Sequence, residues 1–254
     1  LVVPTLLEFM RDKDQNNHKS KGVRVIWITP IRALAKEIAN STQKAIQGLK
    51  IDWQVASRTG DTSAKERARI SKSPPEFLIT TPESLHLLLA QKSYPKFFSN
   101  LRAVICDEWH ELMGSKRGVQ MELALSRLKT VSPKLKIWGI SATIGNMDES
   151  LSALLGTSQK FKLIRSDIKK SIEVVSILPD SVDELPWAGH LGVKLIDKVV
   201  PIIKQSGSTL IFTNTRSFAE IWYQKLLERE PSLAGIMAMH HGSISRELRD
   251  WVDD

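Results

Sequence analysis

The sequence predicts an α/β protein of two domains, each built on a mainly parallel sheet. Three observations support this fold class. Short, almost continuous apolar runs alternate with amphipathic helical patterns, which is typical of strands buried on both faces of a parallel sheet. This alternation is interrupted around residues 165–189 and then resumes. The net charge changes sign in the same region, from +11 over residues 1–166 to −3 over residues 167–254.

The first domain contains six predicted strands separated by helical patterns. Apolar residues at helical spacing follow the first strand, and Ser63 begins a capping box at the start of another helix. Thr81-Pro82-Glu83 combines a cap, a proline at the first helical position and an acid in the first turn. Val119–Leu128 has a further helical pattern. The predicted strands are Val23–Thr29, Trp53–Ser57, Phe77–Thr80, Ala103–Cys106, Lys136–Ser141 and Phe161–Ile164.

The second domain repeats the alternation over a shorter length. Its predicted helices are Leu191–Gln205, Ser217–Arg229 and one that begins near Ser243. Thr209–Thr213 and Gly235–Met239 are the predicted strands. These boundaries predict an incomplete second α/β domain over residues 167–254, after a first domain over residues 1–166.

Composition excludes several classes of protein. Of 254 residues, 42% are hydrophobic and 25% are charged, which excludes a disordered or fibrous chain. No apolar run approaches the roughly 18–20 residues that span a bilayer, so we expect no membrane partner. The single cysteine, Cys106, cannot form an internal disulfide and is expected in the core, which favours a cytoplasmic location. The basic first domain fits a polyanionic partner, although a basic, soluble surface explains the charge equally well.

Two adjacent acids give the strongest local signal. Asp107 and Glu108 follow the apolar strand Ala103–Cys106, and this position places them at the carboxyl edge of a parallel sheet, where open α/β folds bind ligands. Nucleotide hydrolysis needs one acid to hold Mg²⁺, usually through water, and another to orient and deprotonate the attacking water. We predict these roles for Asp107 and Glu108, respectively. The alternative is a strand that ends in a solvated acidic loop.

A second polar segment follows the next predicted strand. Ser141-Ala142-Thr143 can form hydrogen bonds at a strand end, although such residues are also common in turns. If the two strands are neighbours, His110 can reach this segment and respond to changes at the nucleotide. We therefore predict that His110, Ser141 and Thr143 couple the nucleotide site to the rest of the molecule.

In this order and spacing, Asp-Glu-x-His and Ser-Ala-Thr resemble motifs II and III of superfamily-2 DExH-box helicases. Other segments resemble further motifs of that superfamily. The region around residues 140–146 and His240-His241-Gly242-Ser243 are most similar to the Lhr (large helicase-related) branch. Trp109 and the run from Gly114 to Gly118 are similar to its bacterial ligase-associated group. The resemblance covers nearly the whole chain and implies two RecA-like domains that use ATP and Mg²⁺.

The resemblance also implies a track for a nucleic-acid strand. Segments similar to motifs Ia, Ib and Ic lie at strand-to-helix junctions, where backbone amides and hydroxyls can bind phosphate oxygens. Such a track contacts the backbone of a single strand rather than its bases. Ordinary helix capping is the alternative, most clearly at Thr81. The implied contact residues are Pro30, Arg32, Thr59, Gly60, Thr81 and Pro82 in the first domain, and Thr213 and Arg216 in the second.

Three expected segments are absent from the sequence. None of the 13 glycines is followed by lysine, so the chain has no Gly-x-x-x-x-Gly-Lys-[Ser/Thr] phosphate loop. None is followed by arginine, so the segment that supplies the arginine finger is missing, and no motif V follows His240-His241. Leu1 begins a helix of the kind that follows the missing loop. We therefore predict an internal fragment of a longer helicase, inactive as an ATPase by itself.

The predicted function is an ATP-dependent DNA helicase or translocase that moves on single-stranded or partly duplex DNA and acts in DNA repair. Two alternatives stay open. One is a non-catalytic nucleic-acid-binding module, which would not need both Asp107 and Glu108. The other is an RNA helicase of the same superfamily, since backbone contacts discriminate poorly between the two sugars. In the resembled group, an ATP-dependent DNA ligase and an exonuclease are functional neighbours, so both are candidate partners.

Overall fold

The computed structural model describes residues 2–11, 22–142, 144–156, 161–166, 171–180, 191–245, 248 and 251–252. The chain separates into two compact units, Leu1–Ile164 and Arg165–Asp254. Thr143 lies outside the described residues. Among the described residues, no helix is both long enough and apolar enough to cross a membrane.

The first unit is built on a five-stranded parallel sheet, which confirms the predicted α/β class. The strand order is β2-β3-β1-β4-β5, so the first strand lies at the centre. β1, β3 and β4 are buried along their whole length because helices cover both faces of the sheet. The strands are β1 (Val25–Ile28), β2 (Val55–Arg58), β3 (Phe77–Thr80), β4 (Ala103–Cys106) and β5 (Lys136–Gly139).

Eight helices of the first unit are described. Two begin where the sequence predicts, because Ser63 and Thr81 each accept a hydrogen bond from a backbone N–H of the first turn. The helices are α1 (Val2–Arg11), α2 (Arg32–Gly48), α3 (Ala64–Lys72), α4 (Pro82–Leu89), α5 (Tyr94–Phe97), α6 (Trp109–Leu112), α7 (Lys116–Val131) and α8 (Met147–Leu155).

The core lies on both faces of the sheet. Alternate residues of each strand enter different clusters: Ile26 and Ile28 pack with α4, α7 and Trp109, whereas Val25 and Trp27 pack with Ala35 of α2. Both clusters hold fully buried side chains. This packing fixes the strand ends at one edge, where the predicted site residues lie.

The predicted strand Phe161–Ile164 is wrong. These residues are described, but they form no backbone ladder, and Ile164 is 82% exposed. Among the described strands, β5 is the last on that side of the sheet. A short apolar run predicts a strand only if a neighbouring strand is available to pair with it.

Among its described residues, the second unit contains two of the three predicted helices but not the predicted strands. Of the helix predicted to begin near Ser243, residues 243–245 are not helical, and residues 246–247 and 249–250 lie outside the described residues. Leu191–Gln205 is divided at Leu195 into α9 (Leu191–Lys194) and α10 (Ile196–Gln205), and α11 spans Arg216–Arg229, followed by a 3₁₀ turn. The segments Thr209–Thr213 and Gly235–Met239 make no ladder there. Several of their apolar side chains are exposed, and Phe212 is 90% exposed.

Candidate nucleotide site and nucleic-acid track

The carboxyl ends of the five strands meet at one edge of the first unit. Cys106 at the end of β4 pairs with Ile28 of β1 on one side and with Gly139 of β5 on the other. The Asp107 N–H donates to Ile28 O at 2.8 Å, which extends the β1–β4 pairing by one residue. The acid pair consequently leaves the sheet between the ends of β1 and β5, at the edge that the sequence predicts.

Asp107 is held in place by two hydrogen bonds. Trp27 Nε1 donates to Asp107 Oδ2 at 3.1 Å, and the Glu108 backbone N–H donates to Oδ1 at 3.0 Å. The residue is only 9% exposed. Each carboxylate oxygen keeps a second lone pair, so Asp107 can still accept a hydrogen bond from a metal-bound water.

Glu108 has a left-handed backbone, with φ 48° and ψ 44°. A residue with a Cβ rarely adopts this conformation, which costs roughly 1–3 kcal/mol. Such residues cluster at functional sites, and the only other described one here is Lys50. The turn directs the chain from β4 into α6, and the Glu108 side chain is 37% exposed. A half-exposed carboxylate beside the sheet edge suits a group that must meet a water molecule.

His110 joins this turn to the end of the next strand. Its Nδ1 atom lies 3.1 Å from the Ala142 backbone nitrogen and 3.2 Å from Ser141 Oγ. Because the amide can only donate, Nδ1 accepts and carries no proton in this arrangement. The structure thus brings His110 and Ser141 together. Thr143, the third residue of the predicted coupling set, lies outside the described residues.

Two further hydrogen bonds, both donated by Trp109, strengthen the same connection. The Trp109 backbone N–H donates to Ile140 O at 2.9 Å, and its indole donates to Ser150 Oγ of α8 at 3.1 Å. Trp109 is almost completely buried. The residues after β4 and those after β5 are therefore fastened together by both main-chain and side-chain bonds.

The residues present fit one half of an ATP–Mg²⁺ site. Asp107 offers a carboxylate of the kind that Mg²⁺ uses, directly or through water, together with substrate phosphates. Among the described residues, no cluster of three His, Cys, Asp or Glu could enclose a metal by itself. A bound Mg²⁺–ATP would supply the phosphoanhydride bond to be hydrolysed. Acids are thus present, whereas a phosphate-binding loop is absent from the sequence.

The predicted track residues of the first unit divide into exposed and buried groups. Arg32 is the first residue of α2 and its side chain is 63% exposed; it pairs with Asp61 at 3.2 Å. Gly60 is exposed beside it, and a Cβ at that position would lie 3.1 Å from the Arg32 guanidinium carbon. Arg32 and Gly60 are therefore available to a phosphate.

The other four residues are buried within the turns. Thr81 is 2% exposed, and its hydroxyl accepts from the Ser84 N–H at 3.4 Å, so the capping explanation holds for its side chain. Thr59 is also buried, and its hydroxyl accepts from the Asp61 N–H. Pro30 and Pro82 are buried as well. These residues shape the junctions, and their side chains offer little surface to a ligand.

The second unit has its own polar cluster around the start of α11. Thr215 caps the helix, and Thr213 Oγ1 donates to its carbonyl oxygen at 3.0 Å. Arg216 Nη1 donates to Ser243 Oγ, which joins two of the segments that carry the family resemblance. Arg216 is exposed, and Thr213 is half-buried.

Sequence reasoning missed two residues and interpreted a third correctly. Trp27 looks like packing alone, yet it also orients Asp107. Arg117 contacts the junctions after β1 and β3, but in the sequence it is only one member of the resembled run from Gly114 to Gly118. Cys106 is fully buried, and this burial, followed by the charge of Asp107, raises the pKa of its thiol to about 12. It is a core residue and not a nucleophile.

A comparison with protein families identifies the class to which this sheet and its acidic edge belong. The sequence model for the DEAD/DEAH box helicase family matches residues 2–150, which is more than half of the chain. The chain therefore belongs to the DEAD/DEAH box helicase family.

Curated relatives place the chain near the Lhr helicases. It is 35% identical over 246 residues to the ATP-dependent helicase Lhr-Core of Methanothermobacter thermautotrophicus, covering 90% of this chain and 28% of the relative. It is 29% identical to the Lhr helicase/uracil glycosylase of Escherichia coli, covering 91% and 18%. The chain thus spans less than a third of the length of these relatives.

Solved structures support the fold. The Mycobacterium smegmatis helicase Lhr, bound to ssDNA and AMP-PNP, matches with a TM-score of 0.74 at 24% identity, over 99% of this chain and 34% of that one. The DEAD-box helicase Mss116, bound to ssRNA and UDP-BeF, matches with a TM-score of 0.67 at 19% identity, over 99% and 50%. At these identities the likeness shows RecA-like architecture.

Proposed function

We propose that this chain forms the motor part of an ATP-dependent DNA helicase or translocase that moves along single-stranded DNA. The observation that carries the proposal is the connection between the Asp107–Glu108 turn and the segment after β5, made through His110 Nδ1 at 3.1 Å from the Ala142 nitrogen. A change at the acids is thereby passed to a second strand end. A helicase needs such a link between hydrolysis and movement.

The acids and the histidine have separate roles in this proposal. Asp107, held by Trp27, orients the water shell of Mg²⁺. Glu108 orients the attacking water and removes its proton, as the general base of phosphoryl transfer. His110 lies in the helix that begins directly after Glu108, and it passes a change in that turn to Ser141 and Ala142 through Nδ1. Thr143 is proposed to take part in the same coupling.

The nucleic-acid strand is proposed to follow the exposed groups at the junctions. Arg32 and Gly60 supply contacts in the first unit, and Arg216 with Thr213 supplies them in the second. Pro30, Thr59, Thr81 and Pro82 shape the junctions. The net charge of +11 over residues 1–166 favours phosphate binding there.

An RNA substrate is the second candidate. Contacts with phosphates do not separate DNA from RNA unless a 2′-hydroxyl is recognised, and the solved neighbours include one protein bound to ssDNA and one bound to ssRNA. A non-catalytic module is less favoured, since it would not need both Asp107 and Glu108 at the sheet edge. Roles in DNA repair, ligase and exonuclease partners, and a cytoplasmic location stay predictions from the sequence.

The proposal is tested by ATP hydrolysis in a full-length protein that carries this chain. We expect single-stranded DNA to raise the steady-state rate well above the rate without nucleic acid, and single-stranded RNA to raise it less. Equal or greater stimulation by RNA would favour the RNA helicase. A rate that neither polymer changes would contradict a nucleic-acid motor.

A further inference from the structure

Arg117 makes bonds to two different strand-to-helix junctions. Its Nε donates to Glu83 Oε1 at 2.6 Å, and its Nη2 donates to the Pro30 carbonyl oxygen at 2.9 Å. Partial burial raises the pKa of Glu83, but hydrogen bonds from its own backbone N–H and from Arg117 outweigh this effect, so the pKa lies below its usual value. Glu83 is therefore charged at neutral pH, and the contact is an ion pair.

These partners belong to the two junctions on neighbouring strands β1 and β3. Pro30 lies two residues before the start of α2, whose first residue is the exposed Arg32. Glu83 lies in the first turn of α4. The guanidinium of Arg117 thus bridges the two junctions. Because its donors lie in one plane at fixed angles, it sets the distance between the start of α2 and the start of α4.

The position of Arg117 also depends on the turn formed by Asp107 and Glu108, which we call the acidic turn. α6 follows Glu108 directly, and Ser115, the cap of α7, donates to Leu112 O of α6 at 2.6 Å. A Cβ on Gly118 would lie 2.2 Å from the same carbonyl oxygen, so the start of α7 packs directly on the end of α6. A shift of α6 must therefore move Arg117.

We propose that Arg117 is a positioning residue for the nucleic-acid track: it holds the starts of α2 and α4 at the spacing that a phosphate backbone requires and ties that spacing to α6. This inference rests on the proposed function, because it takes the two junctions to bind nucleic acid. Arg117 acts through Glu83 and the Pro30 carbonyl. Direct binding of a phosphate by Arg117 is the competing explanation.

The two explanations predict opposite changes in DNA affinity for one substitution. Glu83→Ala removes a negative charge near the track. If Arg117 bound phosphate itself, this change would free it and strengthen DNA binding. If Arg117 positions the junctions through Glu83, binding weakens instead, by about fivefold, the worth of one exposed charge-assisted contact. The measurement is the affinity of the chain for a fluorescent oligothymidylate, by anisotropy at fixed salt.

Further variants control for charge and for folding. Glu83→Asp keeps the charge but shortens the side chain by one methylene, so we expect it to weaken binding as Glu83→Ala does. Arg117→Ala should also weaken binding, and the Arg117→Ala/Glu83→Ala double variant should bind within about twofold of the weaker single variant. Lys116→Ala removes an exposed neighbouring cation and should bind like the unmodified chain. Thermal unfolding of each variant checks that the fold is kept.

Each outcome decides between the hypotheses. Weaker binding by Glu83→Ala and Glu83→Asp, with a non-additive double variant, supports positioning. Tighter binding by Glu83→Ala overturns it and assigns a direct contact to Arg117. Additive effects of the two alanine substitutions also overturn it, because they would show that Arg117 does not act through Glu83. If the unmodified chain binds DNA and none of the variants differs from it, the inference alone fails. If the unmodified chain binds no single-stranded DNA, the proposed track fails and the inference fails with it.

Discussion

At the scale of single residues, Glu108 carries the most information. Its left-handed backbone stores strain that a glycine or asparagine would relieve. Two neighbours keep the turn in place, because its N–H binds Asp107 Oδ1 and its carbonyl oxygen accepts from the Glu111 N–H at 2.9 Å. The general-base role proposed for Glu108 accounts for an acid at this position.

Cys106 gives a prediction about reactivity. Burial raises the pKa of its thiol from 9.0 to about 12, so the folded protein holds the neutral thiol while the unfolded chain ionises near pH 9. We expect iodoacetamide to leave Cys106 unmodified at pH 8 and to modify it fully in denaturant. We also expect the free energy of unfolding to fall as the pH rises from about 9 towards 12, because only the unfolded state loses the proton in that range. Rapid modification of the native protein would contradict the buried position.

At the scale of elements, the contact between α6 and α7 transmits position from the acidic turn to Arg117. Its closest approach is at Gly118, where the backbone of Leu112 occupies the space of a side chain. Backbone atoms cannot rotate away as a side chain could. Any larger residue at this position must separate the two helices.

The substitution Gly118→Ala tests this packing. We expect it to lower the free energy of unfolding by about 1–3 kcal/mol, the usual cost of overpacking, as measured by denaturant titration. Gly48 in α2 is the matched control, since no atom lies within 4 Å of a Cβ built there. Gly48→Ala should leave stability unchanged or raise it by up to about 1 kcal/mol, because alanine is the better helix residue. Equal effects of the two substitutions would show that the α6–α7 contact is looser than described.

At the scale of the whole molecule, the sequence predicts the first unit well and the second unit less well. Continuous apolar runs such as Phe77–Thr80 and Ala103–Cys106 coincide with observed strands, because strands buried on both faces leave an unambiguous pattern. Phe161–Ile164 and Thr209–Thr213 have similar composition but no partner to pair with among the described residues. Pairing is a long-range property that a local run does not contain.

In the candidate site, too, the sequence predicts local placement but not long-range contacts. Spacing after strands places Asp107, Glu108, His110 and Ser141 at one edge, as the sequence predicts. It does not reveal that Thr81 and Thr59 are buried, since a capping threonine and a phosphate-binding threonine occupy the same position in sequence. The contacts made by Trp27 and Arg117 also need the folded arrangement, because their partners are 80 and 87 residues away.

The charge distribution predicts how the track binds DNA. Arg32→Ala should weaken binding of single-stranded DNA to a similar extent for all sequences and reduce the slope of log K against log salt by about 0.7, as expected for one lost phosphate contact. Lys92→Ala removes an exposed cation beyond the far end of α4 and should leave both the affinity and the slope nearly unchanged. A loss that depends on base sequence would contradict binding through the backbone.

The most direct measurement is DNA-stimulated ATP hydrolysis by the Glu108→Gln variant of a full-length protein that carries this chain. Glutamine keeps the size of the side chain and one acceptor oxygen but cannot accept the proton, so we expect turnover to fall by at least about a hundredfold. ATP binding, followed with a fluorescent nucleotide, should stay intact. Unchanged turnover would contradict the assignment of Glu108 as the base and, with it, the motor function proposed for this sheet edge.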